Sequence, residues 1–172
     1  FIMQFLRQCR HVLIPIWAFS IGLGVEELGL IQSISAALDM TLFYPVGLIM
    51  DKYGRKWTSV PSIILLSSGF IFMTNVDTFT GLMIVGLLLG FANGLGSGAM
   101  LTLGSDLSPK KQPGSFLGIW RLFGWSGNSA GGPISGAVAQ TLGNTASALS
   151  VSTIGVIGVI ILSFFLPETL KE

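Results

Sequence analysis

The run Gly47-Leu48-Ile49-Met50-Asp51-Lys52-Tyr53-Gly54-Arg55-Lys56 sets one acid beside three cations, between two long apolar stretches. A carboxylate and a guanidinium this close can form a charge-assisted pair. In lipid such a cluster marks a short loop on one face of the membrane, and Lys and Arg collect on the cytoplasmic face. Asp51 follows the C-terminal end of a helix, where the dipole disfavours an acid, so it calls for a partner. Asp106 ends a later helix on the same face and raises the same problem. Arg55 is placed to bridge both acids. The plainer reading is a solvated loop whose charges only set topology.

Asp39 is the second feature, an acid in the middle of an apolar run. A carboxylate at mid-depth in a bilayer costs about 2.5–3.5 kcal/mol on insertion scales. It is expected to face a cavity or an arginine, either to couple transport to protons or substrate or as a structural ion pair with Arg7. Gln4, Arg7, Gln8 and His11 follow helical spacing and share one face, which makes them the expected cavity lining; Arg10 lies off the centre of that stripe. An arginine in the cavity suits an anionic substrate or a pair with Asp39, while His11 alone is more often a packed polar residue. Arg121, less than two turns inside a later helix, can snorkel to the cytoplasm and join Asp51 or Asp106. Gly131, Gly132 and Pro133 predict a bend, since Pro133 removes a mid-helix backbone bond. Asn93 and Asn128 fit helix–helix hydrogen bonds as well as substrate contact.

These residues need helices to hold them. The chain is 51% hydrophobic and 10% charged, with mean hydropathy +0.76, against roughly 25% charge in soluble domains. That composition predicts an all-α membrane protein. Six spans are expected, at about 1–23, 28–50, 57–75, 79–104, 115–142 and 146–166. Gly86, Gly90 and Gly94 form the small-residue face of a tight helix pair. Lys52, Arg55, Lys56, Lys110, Lys111 and Lys171 fall on one side, and Glu26, Glu27 and Asp77 on the other. This alternation places the first set, and the C-terminus, in the cytoplasm.

A net charge of +1 gives no basic surface for nucleic acid. The lone Cys9 excludes an internal disulfide. No cofactor is implied, and no Gly-x-x-x-x-Gly-Lys-Ser/Thr loop for ATP is present. Gly96-Ser97-Gly98 with His11 suggests an intramembrane serine protease only superficially, since the histidine precedes every candidate serine. The chain begins at Phe1, so it is expected to be a piece of something longer.

Gly47 to Lys56 resembles the cytoplasmic loop signature of the major facilitator superfamily, Gly-x-x-x-Asp-Lys-x-Gly-Arg-Lys, at every defined position. Gly118, Gly127, Gly132-Pro133 and Gly136 resemble the Gly-Pro signature of the drug/proton antiporter branch, with one interval a residue longer than usual. The closing Pro167-Glu168-Thr169 resembles the end of a six-helix half. The resemblance implies one half, the C-terminal one, of a twelve-helix transporter in the plasma (inner) membrane. It implies substrate at the midplane, alternating access and no enzymatic activity. The partners would be the lipid bilayer, the other half and a small-molecule substrate. Gly47, Asp51, Lys52, Gly54, Arg55 and Lys56, with Asp106 and Arg121, would form the cytoplasmic gate. Asp51 would pair across to the other half, and Arg55 would meet Asp106. Gly132, Pro133 and Gly136 would form the bend. Proton drive through Asp39 is the expected energy source; the alternative is a non-transporting receptor or scaffold of the same fold.

Overall fold

A computed structural model describes residues 1–165, and every regular element among them is a helix. In order they are α1 (Ile2–Ser20), α2 (Val25–Thr41), α3 (Phe43–Tyr53), α4 (Lys56–Met73), α5 (Phe79–Gly96), α6 (Ala99–Asp106), α7 (Pro113–Leu142) and α8 (Asn144–Phe165). The Pro167-Glu168-Thr169 ending and Lys171 lie outside the described residues.

Two expected helices are interrupted. The stretch read as one helix over 28–50 is α2 and α3, divided at Leu42. Pro45 is the cause: it has no N–H for the carbonyl of Thr41, and its ring crowds that carbonyl. The chain closes α2 instead with a tighter bond from the Leu42 N–H to the Asp39 carbonyl, 3.3 Å. The stretch read over 79–104 is α5 and α6, divided at Ser97 and Gly98 after the glycines at 94 and 96. There the Ser97 N–H and hydroxyl both turn back to the Gly94 carbonyl, at 3.2 and 2.9 Å. By contrast, α7 runs without a break through Gly131, Gly132 and Pro133, so the expected bend there leaves no interruption in the helix.

Among the described residues, four stretches are long and apolar enough to cross a bilayer: Val25–Tyr53, Lys56–Met73, Phe79–Asp106 and Asn144–Phe164. The first and third each carry one of the interruptions. The remaining long helices, α1 and α7, fall outside that set. The side chains of Gln4, Arg7, Gln8, Arg10 and His11 make α1 polar, and α7 is diluted by glycine, serine and Asn128.

Packing explains how α1 tolerates its charges. It lies against α7, α8, α5 and α4, and its apolar face, including Leu6, Cys9, Leu13 and Ile14, is fully buried. The Trp17 indole N–H donates to the Val76 carbonyl at 2.8 Å, tying the far end of α1 to the α4–α5 turn. Outward-facing Phe72, Ile84, Ile157 and Ile160 are exposed in the isolated chain, as lipid-facing side chains are.

The Gly86, Gly90 and Gly94 stripe is the seam between α5 and α2. A Cβ at Gly86 would meet Ile31, one at Gly90 would meet the Ser35 carbonyl at 2.5 Å, and one at Gly94 would meet Leu42 and the Asp39 carbonyl. The Ser35 hydroxyl donates across this seam to the Gly86 carbonyl at 2.7 Å. Ser35→Ala is expected to lower unfolding stability by about 1 kcal/mol, within the range of interhelical hydrogen bonds in membranes. Denaturant titration of the full-length protein in detergent would read it, and an unchanged midpoint would show that the bond contributes nothing.

Candidate functional site

The charges converge in two places along the bundle. The deeper cluster is built by α1, α2 and α5. Asn93 on α5 donates from Nδ2 to Asp39 Oδ2 at 2.5 Å. Arg10 Nη2 on α1 stands 3.9 Å from the same oxygen, with the two side chains 4% and 13% exposed. Arg10 Nη1 donates to the Leu89 carbonyl at 3.2 Å, and Arg7 Nη2 to the Asn93 carbonyl at 2.9 Å. The second carboxylate oxygen, Asp39 Oδ1, is buried with no hydrogen-bond partner, as are Arg7 Nε and Arg10 Nε. Asp39 thus points at α1 and α5 rather than outward. Its ion-pair partner is Arg10, not the expected Arg7, whose hydrogen bond goes instead to the Asn93 carbonyl.

The predicted stripe on α1 divides. Arg7 turns to α5, while Gln8 packs beside Gly131 and Gly132 of α7, and Gln4 beside Gly124. His11, between those two edges, is exposed. The stripe therefore faces the opening between α5 and α7. Asn93 was open to a helix–helix role, and that is the bond it makes. Arg10 was missed as a site residue, because its offset from the stripe put it on the side that proves to meet α5. Gly136 faces open space, and Pro133 is exposed.

The second cluster holds one end of the bundle. Gly54 closes α3 with φ 103° and is buried. That conformation is open to glycine and strained for a side chain. The reversal brings Arg55 back over the helix end it has just left. Arg55 Nη1 donates to the Met50 carbonyl at 2.9 Å. Its Nε meets Asp106 Oδ2 at 2.9 Å, and its Nη2 lies 3.8 Å from Asp51 Oδ1. The guanidinium therefore adds a second donor to the Met50 carbonyl, which also accepts the Gly54 N–H at 3.1 Å, while joining the ends of α3 and α6. Asp51 is 74% exposed. Lys56 Nζ donates to the Ser163 carbonyl at 2.6 Å, adding the end of α8. Lys52 is exposed over the Tyr53 ring, and a Cβ at Gly47 would meet open space.

Asp106→Asn removes the charge opposite Arg55 and is expected to lower stability by about 1.5–3 kcal/mol, the range for hydrogen bonds to charged groups. The double exchange Arg55→Asp with Asp106→Arg should recover part of it. Thermal unfolding of the two variants would read the effect, and no recovery would mean that the pair's charge is not what matters.

Arg121 stands on the wall of a cavity of about 470 Å³, shared with Gln4, Arg7, Ser97, Trp120 and Trp125. Among the described residues no group of three or more His, Cys, Asp or Glu side chains is arranged to hold a metal.

A model described as Major Facilitator Superfamily matches residues 1–172. The chain is similar to a vacuolar membrane amino acid uptake transporter, fnx2, of Schizosaccharomyces pombe. The two are 30% identical over 104 residues, 60% of this chain and 18% of that protein. The chain therefore matches less than a fifth of the length of that relative.

Proposed function

From the premise that this chain belongs to the major facilitator superfamily, we propose that it is one six-helix half, the C-terminal one, of a secondary transporter. In this reading α2–α3 and α5–α6 each count as one interrupted span, and α1 and α7 complete the six. The polar residues that keep α1 and α7 below the hydropathy of lipid-spanning helices are what a helix lining a water-filled path requires. The loop ends carrying Lys52, Arg55, Lys56, Lys110 and Lys111 face the cytoplasm by the positive-inside rule, here the cytoplasmic side of a plasma membrane.

The observation that carries the reading is the Arg10–Asp39–Asn93 cluster inside an apolar bundle, beside two interrupted helices. Secondary transporters place substrate and ion sites at mid-membrane, where helices are discontinuous. Asp39 has a buried oxygen with no hydrogen-bond partner, a place for a proton to add. Protonation removes the charge that holds Arg10. Just beyond Asp39 and Asn93 the helices are interrupted at Leu42 and at Ser97–Gly98. The end pieces α3 and α6 are clamped to one another by Arg55, Asp51 and Asp106. Met50 also packs against Gly98 and lies 4.0 Å from the Thr102 hydroxyl. Those pieces can move as one unit while α2 and α5 stay joined along their glycine seam. That motion, with the second half rocking against this one and Asp51 latching to it, gives alternating access driven by protons.

Uptake by the full-length protein in proteoliposomes, with and without an imposed proton gradient, tests the reading. Accumulation that follows the gradient is expected. Binding without uptake of any solute would favour a receptor of the same fold.

A further inference from the structure

The transporter reading leaves the substrate class open, and the cavity between α1, α6 and α7 speaks to it. We propose that this cavity binds an amphipathic organic carboxylate; the proposal rests on the transporter reading for its biological meaning, though not for its chemistry. Among the described residues, the lining holds two guanidiniums, Arg7 and Arg121, and no carboxylate. Arg7 Nε is buried without a hydrogen-bond partner, and Arg121 has no ion-pair partner among the described residues. The neighbouring cluster does not compensate them, because Asp39 is shared between Arg7 and Arg10 and carries only one charge. Arg121 is exposed on this wall, and a buried guanidinium such as that of Arg7 pairs where it can. Arginine's planar fork matches a carboxylate with two parallel bonds.

Beside Gln4, Ser97 and Ser105, the rest of the wall is apolar and aromatic. The Trp120 indole N–H is already committed to the Met100 carbonyl at 2.9 Å, so its ring, rather than its donor, is presented. Gly104 makes room for that ring, since a Cβ there would stand 2.8 Å from it. Trp125 is exposed on the same wall. About 470 Å³ falls in the range of small-molecule sites, roughly 300–1,000 Å³. Guanidiniums beside aromatic faces suit an anion with an apolar body better than an inorganic anion.

The test uses the full-length protein in detergent, titrated with benzoate, benzamide, benzylamine and inorganic phosphate while thermal unfolding is followed. Benzoate is expected to stabilise saturably, and benzamide and benzylamine are not. Phosphate is expected to stabilise less than benzoate at equal concentration; equal or stronger stabilisation would overturn the apolar half of the proposal. Arg121→Gln should weaken benzoate binding by about tenfold or more, with Arg121→Lys retaining part of it. Benzoate binding that is absent, or unchanged in Arg121→Gln, would overturn the site. Uptake measured in parallel separates the two claims. Gradient-driven uptake of a cation with no benzoate binding sinks the carboxylate site and spares the transporter. Benzoate binding in a protein that moves no solute does the reverse.

Discussion

Asp39→Asn is expected to reduce gradient-driven accumulation by about a hundredfold or more while leaving solute exchange at equal pH on both sides. The substitution keeps the size and a hydrogen-bonding oxygen for Asn93, but it cannot change charge with a proton. It also strands Arg10, whose side chain is 4% exposed. Removing one partner of a buried pair costs about 3–5 kcal/mol, so a fall in stability accompanies the loss of coupling. The second variant separates the effects. Asp39→Asn with Arg10→Gln removes both charges and is expected to recover most of the stability, yet no proton-driven uptake. If the double variant regains accumulation along with stability, Asp39 is a structural partner of Arg10 and the coupling site lies elsewhere.

The second large effect belongs to the seam between α2 and α5. Gly90→Val is expected to destabilise the full-length protein by about 3 kcal/mol, at the upper end of overpacking costs. The added Cβ would stand 2.5 Å from the Ser35 carbonyl oxygen and 2.6 Å from its hydroxyl. A backbone carbonyl cannot swing away as a side-chain tip does. The helices must part, which also moves Asp39, one turn further along α2, away from Asn93. Gly136→Ala is the control: nothing lies within 4 Å of the position, and its unfolding midpoint is expected to stay unchanged. Equal losses at the two positions would mean that helix entropy or propensity, not close approach, sets the cost.

What could be read ahead of the structure was set by strong local physics. Charge is so unfavourable in hydrocarbon that the loop at Gly47–Lys56 and the alternation of Lys and Arg with Glu and Asp mark the helix ends unaided. Glycines at four-residue spacing name their own seam, and the structure pairs that seam with α2. Arg55 meeting Asp106 follows from two acids at helix C-terminal ends needing a cation. The interruptions were not read, although the signal for the first was present: Pro45 forbids the bond to Thr41. A continuous apolar run outweighed it, because hydropathy counts side chains and is blind to a missing N–H. At Ser97–Gly98 the only sign is a density of glycine, which in a membrane also reads as close packing.

The α1 residues show a different limit. A stripe drawn by helical spacing assumes one polar face. In α1 that face meets two neighbours, Gln4 and Gln8 turning to α7 and Arg7 to α5, with His11 exposed between them. Arg10 sits one step beyond the stripe's edge and so makes the ion pair assigned in advance to Arg7. No spacing rule tells which edge meets the acid, because that depends on α5 lying antiparallel to α1, a tertiary fact. At Pro133 the motif suggests a bend, and α7 stays helical through it.

The central claim is that α1 lines a watery groove within a lipid-embedded bundle. It is most directly tested by thiol accessibility in the full-length protein, with the buried Cys9 replaced by Ala and single cysteines placed at His11 or Ile157. A charged, membrane-impermeant thiol reagent applied to intact membranes should modify the cysteine at 11 and leave the one at 157, on the outer face of α8, untouched. Rapid modification at 157 with protection at 11 would contradict the account.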